Sequence, residues 1–184
     1  FLELFHFSKW ITLATICTML LMRIDVLMLQ GLSTSNEAGI YYGASQLAMF
    51  FPLITGALST SLLPKISLFQ KKHEHVDFIF KVLKFTPFIL IVFLPIYFLS
   101  SPLIKILFGI KYTAGIPVFK ILLISFVIGV ILNPISLVFY SINKPHILSY
   151  LNVIQLIVAF FLNIFLIKNY GAVGAAYTSF AIRF

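Results

Sequence analysis

Five times in 184 residues the chain runs for about twenty positions nearly free of charge: 10–31, 39–63, 82–100, 118–140 and 147–167. A sixth run opens at 172 and reaches 184. About twenty apolar residues wound as a helix cross the ~30 Å hydrocarbon layer of a bilayer. No water reaches a stray N–H or C=O there, so each run must close its own hydrogen bonds. The sequence therefore predicts an all-α integral membrane protein, a polytopic bundle of five full transmembrane helices and a truncated sixth. Composition agrees: 61% of residues are hydrophobic and 10% charged, against about 25% charged in soluble domains.

The intervening segments set the topology. Residues 64–81 hold several lysines and read as a basic cytoplasmic loop, and 101–109 is too short to span and reads as an interfacial half-helix ended by Gly109. With an inside start, seven lysines (9, 65, 71, 72, 81, 84 and 144) face the cytoplasm and four (105, 111, 120 and 168) face outward. The net charge of +8 is thereby explained by inner-leaflet topology, and no nucleic-acid partner is expected. The connection at 32–38 has no Lys or Arg, as an outer turn should, so the first two spans form an antiparallel hairpin. All connections are short, which predicts one compact bundle over 1–184. The chain has neither an initiator Met nor a signal-peptide pattern and stops within an apolar run. It is expected to be a piece of a longer polypeptide. Cys17 has no partner for a disulfide and reads as a small packing residue.

Two charges sit inside the first span, Arg23 and Asp25. A charge at bilayer depth costs at least ~2.5–3.5 kcal/mol, and is kept where it faces a bundle interior or a watery cavity. Two residues on a helix differ by about 200°, so this pair cannot join on one face. Arg23 shares its side with Thr12, Met19 and Gln30, and either lines a cavity or snorkels to the outer interface. Asp25 shares a face with Thr18 and Leu21. The second span carries Tyr42, Ser45, Met49, Pro52, Gly56 and Ser59 along one face, a stripe that suits helix packing as well as a cavity wall. Pro52 is expected to loosen the backbone there. The fourth span aligns Ser125, Gly129, Asn133, Ser136 and Tyr140, and the fifth aligns Asn152, Gln155, Ala159 and Asn163. The third has almost no polar side chain and is expected to face lipid. Four polar stripes together point to a hydrated interior. The expected cavity residues are Arg23, Thr12, Gln30, Tyr42, Ser45, Asn133, Asn152 and Gln155, with Asp25 a candidate for ion coupling.

Catalytic motifs are missing from the sequence. It has no phosphate-binding Gly-rich loop ending in Gly-Lys-Ser/Thr. His73-Glu74-His75 has the wrong spacing for two ligands on one helix face. The other acids, Glu3, Glu37, Glu74 and Asp77, lie outside the spans, so no carboxylate pair is available. No enzyme, metal or cofactor is expected.

R-I-D-V-L-M-L-Q-G-L-S at 23–33, G-I-Y-Y-G-A-S-Q-L at 39–47 and L-L-P-K-I-S at 62–67 resemble the MOP exporter superfamily. Within it the likeness is to the polysaccharide (Wzx-type O-antigen and exopolysaccharide) flippases. The run S-P-L-I-K-I-L-F-G-I-K-Y-T-A-G-I-P-V-F-K-I-L at 101–122 resembles the family's half-helix and its F-G-x-x-Y signature, with Gly115 where the family often has Ala. N-K-P at 143–145 and G-A-V-G-A-A-Y-T-S at 171–179 resemble its later pattern. The resemblance implies a parent of twelve or fourteen helices in two pseudo-symmetric bundles, with this chain most of the second. It implies flipping of undecaprenyl-diphosphate-linked oligosaccharide across the bacterial inner membrane by alternating access. Arg23 would be the family's cavity arginine and Asp25 its acidic neighbour. Partners would be the lipid-linked glycan, membrane lipids, and the polymerase and glycosyltransferases of the same pathway. Drug or cation antiporters of the MATE type and lipid II flippases share the superfamily. A non-transporting scaffold for polysaccharide assembly is the alternative from another class.

Overall fold

The computed structural model describes residues 2–69, 71–84, 86–142 and 145–183. Asn143 and Lys144, part of the N-K-P resemblance and of the lysine tally, lie outside them. Every regular element among the described residues is helical: α1 (Leu2–Leu32), α2 (Ser35–Ala48), α3 (Phe50–Ile66), α4 (Lys72–Leu83), α5 (Thr86–Phe98), α6 (Ser100–Phe108), a 3-10 turn (Ile110–Tyr112), α7 (Gly115–Ser141) and α8 (Pro145–Ala181). Five stretches among them are long and apolar enough to cross a membrane: Ser8–Leu32, Ser35–Ile66, His73–Phe98, Gly115–Ser141 and Pro145–Ala181. The protein is an all-α, multi-pass membrane protein.

Local chemistry sets the breaks. The hydroxyl of Thr34 accepts the amide N–H of Glu37 and caps α2. Helix is interrupted at Met49, three residues before Pro52. Proline lacks the N–H that would bond the carbonyl four residues back, and its ring crowds that carbonyl, here on Ala48. The segment 64–81, expected as a loop, is helical at 64–66 and again from 72 on: the Glu74 carboxylate accepts the Lys71 amide at 3.0 Å and starts α4. α6 stops at Gly109, whose φ of +85° lies in the region that favours glycine. Of the residues of α5 only Phe93 is buried, so this helix turns nearly its whole surface outward.

Side-chain bonds fix how the spans run. On α1 and α8, Ser149 donates to the Trp10 carbonyl (2.6 Å), Asn152 to that of Ala14 (3.2 Å) and Asn163 to Asp25 (2.7 Å). Partners stay 138 or 139 residues apart along both helices, so the two run parallel in constant register. α3 and α7 are parallel as well: Ser59 meets Asn133, while Gly115 lies against Ile40 one helix earlier. Alternating passes through the bilayer require this, since first and fifth spans share a direction, as do second and fourth. α7 is the core helix and buries ten residues, from Gly115 to Leu137.

α8 is two arms. Gln155 donates to the carbonyl of Ile182 at 2.8 Å, whereas 27 residues of straight helix would separate them by about 40 Å. The chain reverses at Gly171, at φ +55° and ψ −132°. The first arm, 145–170, rises along α1, and the returning arm, 172–181, descends beside α7. Glu37, at the start of α2, accepts the Ala172 amide N–H at 2.7 Å and caps the returning arm. A carboxylate there also meets the positive end of the helix dipole. Removing it in Glu37→Ala is expected to cost about 1 kcal/mol locally. Amide exchange at Ala172 to Ala175 should then accelerate about fivefold, read by exchange mass spectrometry.

Candidate functional site

The reversal at Gly171 leaves an open groove of about 930 Å³ lined by α1, α2, α3, α7 and both arms of α8. At one end lies Asp25, 4% exposed. Its partners come from α2 and from both arms of α8, at one depth. Asp25 is seven residues before the end of α1, Tyr41 six after the start of α2, and Asn163 and Ser179 each eight from Gly171. At 1.5 Å per residue that is a layer roughly 10 Å from the end of the bundle where α1 meets α2. The Tyr41 hydroxyl donates to Asp25 Oδ2 at 2.6 Å, Asn163 Nδ2 donates to Oδ1 at 2.7 Å, and the Ser179 hydroxyl donates to Oδ2. Tyr41 Oη and Ser179 Oγ lie 3.1 Å apart. Asn163 Oδ1 is buried and has no hydrogen-bond partner. Three donors on one carboxylate make this the most concentrated polar contact among the described residues.

Arg183 lines the same groove, one turn beyond Ser179. Its Cζ stands 4.4 Å from the centroid of the Phe126 ring, and Nη1 is 2.9 Å from where a Cβ on Gly129 would be. Ser125 donates to the Ser179 carbonyl at 2.9 Å. Ser125 to Ser179 and Gly129 to Arg183 are each 54 residues apart, so α7 and the returning arm also run parallel. Asp25 and Arg183 interact electrostatically, and no carboxylate of the described residues lies within 4.0 Å of the guanidinium.

Of the residues expected in a cavity, Ser45, Asn133, Asn152 and Gln155 line this groove, and so does Asp25, the candidate for ion coupling. Asn133 accepts from Ser59 at 3.0 Å, Asn152 also reaches Thr18 at 3.1 Å, and Ser45 bonds the Tyr42 carbonyl. Thr12, Arg23, Gln30 and Tyr42 do not line it. All four are exposed. α1 turns its Ala14, Cys17 and Leu29 face inward because small side chains there let α8 close in, and this carries Asp25 in and Arg23 out. On α2 the inward tyrosine is Tyr41, with Tyr42 44% exposed. Tyr41, Asn163, Ser179 and Arg183 are the site residues that the expected set lacks. Two signals for them stand in the sequence: Asn163 ends the stripe of Asn152 and Gln155, and Ser179 and Arg183 are four apart on one face.

Among the described residues no group of three or more His, Cys, Asp or Glu is placed to hold a metal ion. No solved structure matches the chain. A relative from Haloferax volcanii, described as a probable low-salt glycan biosynthesis flippase, Agl15, is 26% identical over 189 aligned residues. The match takes in 98% of this chain and 40% of the relative, so the chain spans less than half of that protein's length. The profile of a family described as polysaccharide biosynthesis protein matches residues 1–117. That stretch holds α1 to α6 and the helices that carry Asp25 and Tyr41, and by it the chain belongs to the polysaccharide biosynthesis protein family.

Proposed function

We propose that the protein flips a polyprenyl-diphosphate-linked oligosaccharide across the membrane by alternating access, with undecaprenyl diphosphate as the carrier in a bacterial inner membrane. The observation that carries this reading is the groove, whose polar side chains are walled by membrane-spanning helices. Asn133, Asn152, Gln155, Ser45 and Ser136 offer donors and acceptors that suit sugar hydroxyls. A hydrated groove lets a headgroup leave the interface without losing all its hydrogen bonds. Asp25 is the coupling residue. Its carboxylate, the Tyr41 and Ser179 hydroxyls and the unpartnered Asn163 carbonyl oxygen form an oxygen-rich pocket for a proton or small monovalent cation. Arg23 lies at bilayer depth on the opposite side of α1 and suits a polar contact with a second bundle.

The test is trans-bilayer movement of a fluorescent short-chain polyprenyl-diphosphate oligosaccharide in proteoliposomes holding the full-length protein. Movement is expected in wild type and is expected to fall at least tenfold in Asp25→Asn. A protein that leaves the lipid in its starting leaflet, while its loss still blocks glycan assembly in cells, is a scaffold, and the reading fails.

A further inference from the structure

His73-Glu74-His75 does not line the groove, and the fold gives its last residue a setting of its own. His75 is half-buried where α4 meets Ser141, the last residue of α7. Its Nδ1 lies 3.2 Å from the Lys71 carbonyl oxygen, and its Nε2 lies 3.1 Å from Ser141 Oγ. The Ser141 hydroxyl in turn donates to the Val138 carbonyl at 2.9 Å. The Phe69 ring stands nearly at right angles to the imidazole, with 5.4 Å between centroids, and holds its plane.

Counting protons shows which form of the ring fits. A carbonyl only accepts, so Nδ1 must carry a proton to bond Lys71. Ser141 has one hydrogen, for Val138 or for Nε2. A neutral ring with its proton on Nδ1 takes that hydrogen and breaks the bond to Val138. A neutral ring with its proton on Nε2 sets a lone pair against the Lys71 carbonyl. Only the imidazolium satisfies all three contacts. It also stands at the C-terminal turn of α7, whose unpaired carbonyls favour a cation.

The contact holds the end of a groove wall. Ser136 and Phe139 of α7 line the groove. Pro134, just before them, leaves the Val130 carbonyl without its helical N–H partner, which makes this the pliable point of α7. Asn133, beside it, is bonded to Ser59 of α3. Residues 135–141 are thus a short stretch of wall with a pliable base and a tip joined to α4 through His75.

We infer that His75 is a proton-operated latch that fixes the end of α7, and with it one wall of the groove, to α4. The inference holds whatever the groove carries. The latched arrangement binds one proton more than the released one, so acid favours it. It loosens as pH rises through the range, about 5 to 8, in which imidazole changes charge. The charged and titratable groups on the elements that meet here are Lys65 of α3, Lys71 beside α4, Lys72, His73, Glu74 and Asp77 in its first two turns, and Tyr140 of α7. The lysines oppose a further positive charge and the two carboxylates favour it, with Glu74 already bonded to the Lys71 amide. Lys144 lies outside the described residues.

The experiment reads amide exchange of residues 136–142 in the full-length protein in nanodiscs at about pH 6 and about pH 8. The intrinsic pH dependence of exchange is removed by reference to the unfolded peptide. Wild-type protection is expected to be about fivefold higher at the lower pH, on the scale of one added hydrogen bond to a charged group. His75→Gln offers hydrogen bonds without titrating, so its protection should be equal at both. Ser141→Ala removes the acceptor of Nε2 and should shrink the difference. His73→Gln should leave it as in wild type. Equal wild-type protection at the two pH values overturns the inference, and so does a folded His75→Gln that keeps the difference. Where His75→Gln does not fold, Ser141→Ala decides, and an undiminished difference there overturns it. A difference lost in His73→Gln assigns the proton to the wrong histidine and overturns it as well. Trans-bilayer movement has no part in this readout, so its result and that of the flippase test are independent.

Discussion

Gly174→Ala should sharply destabilise the folded state. Gly174 is buried three residues after the reversal at Gly171, and a Cβ there would run into the carbonyl oxygen of Leu166 and into the backbone at Ile167. Those atoms belong to the first arm, which is fixed against α1 by Ser149, Asn152 and Asn163. The obstacle is backbone, with no flexible side chain to swing away. Overpacking a core costs ~1–3 kcal/mol where neighbours can shift, and here they cannot, so the effect should reach the top of that range or exceed it. The returning arm would then lose its place, and with it Ser179 and Arg183. The measurement is the yield of monodisperse protein after detergent extraction, with the unfolding temperature of what remains. Gly171→Ala should be harmful by another route, since φ of +55° is strained for any side chain and the Glu37 carboxylate lies 2.7 Å from the new Cβ. Wild-type yield from Gly174→Ala would show that the two arms do not lie against each other.

The second large effect is expected from Asp25→Ala. Removing the carboxylate strands the donors aimed at it. Tyr41 and Ser179, 3.1 Å apart, can turn to each other, but the buried amide of Asn163 has no other acceptor in the contact. A buried donor left without an acceptor costs ~1–3 kcal/mol. The missing side chain also leaves a void where α1, α2 and both arms of α8 meet. Together these should lower the unfolding temperature in detergent and end transport. Asp25→Asn separates the two roles: it keeps shape and most contacts, so the fold should persist while transport is lost. If Asp25→Ala transports normally, Asp25 has no part in the cycle.

The division between what could be read in the sequence and what could not follows the range of the interactions. Long uncharged runs set a helical membrane protein with no reference to any neighbour, because hydrocarbon constrains each run separately. The angle between Arg23 and Asp25 was equally local. Which of the two faces inward was not, since both stripes of α1 carry polar groups. Burial is decided by Ala14 and Cys17, which let α8 approach. Asp25 reads as a candidate for ion coupling, but its partners do not show, because Asn163 and Ser179 stand 138 and 154 residues away in sequence. Ser179 and Arg183 share a face, but two residues are too few to mark a polar stripe. At 64–81 the charges of His73-Glu74-His75 and the lysines look like solvated loop, yet Glu74 starts a helix with them.

The returning arm is a rod that starts at the Gly171 pivot and is bonded further along to Asp25, Ser125 and Gln155. From Gly171 to Arg183 it measures about 18 Å at 1.5 Å per residue. A tilt of about 10° at that pivot would sweep Ser179 by roughly 2 Å and the Arg183 backbone by roughly 3 Å. Two ångströms is enough to break a hydrogen bond, so the joint with Asp25 and the posture of Arg183 cannot change separately. A small rotation at one glycine is geared into a larger stroke at the groove, and Glu37 sits beside the pivot.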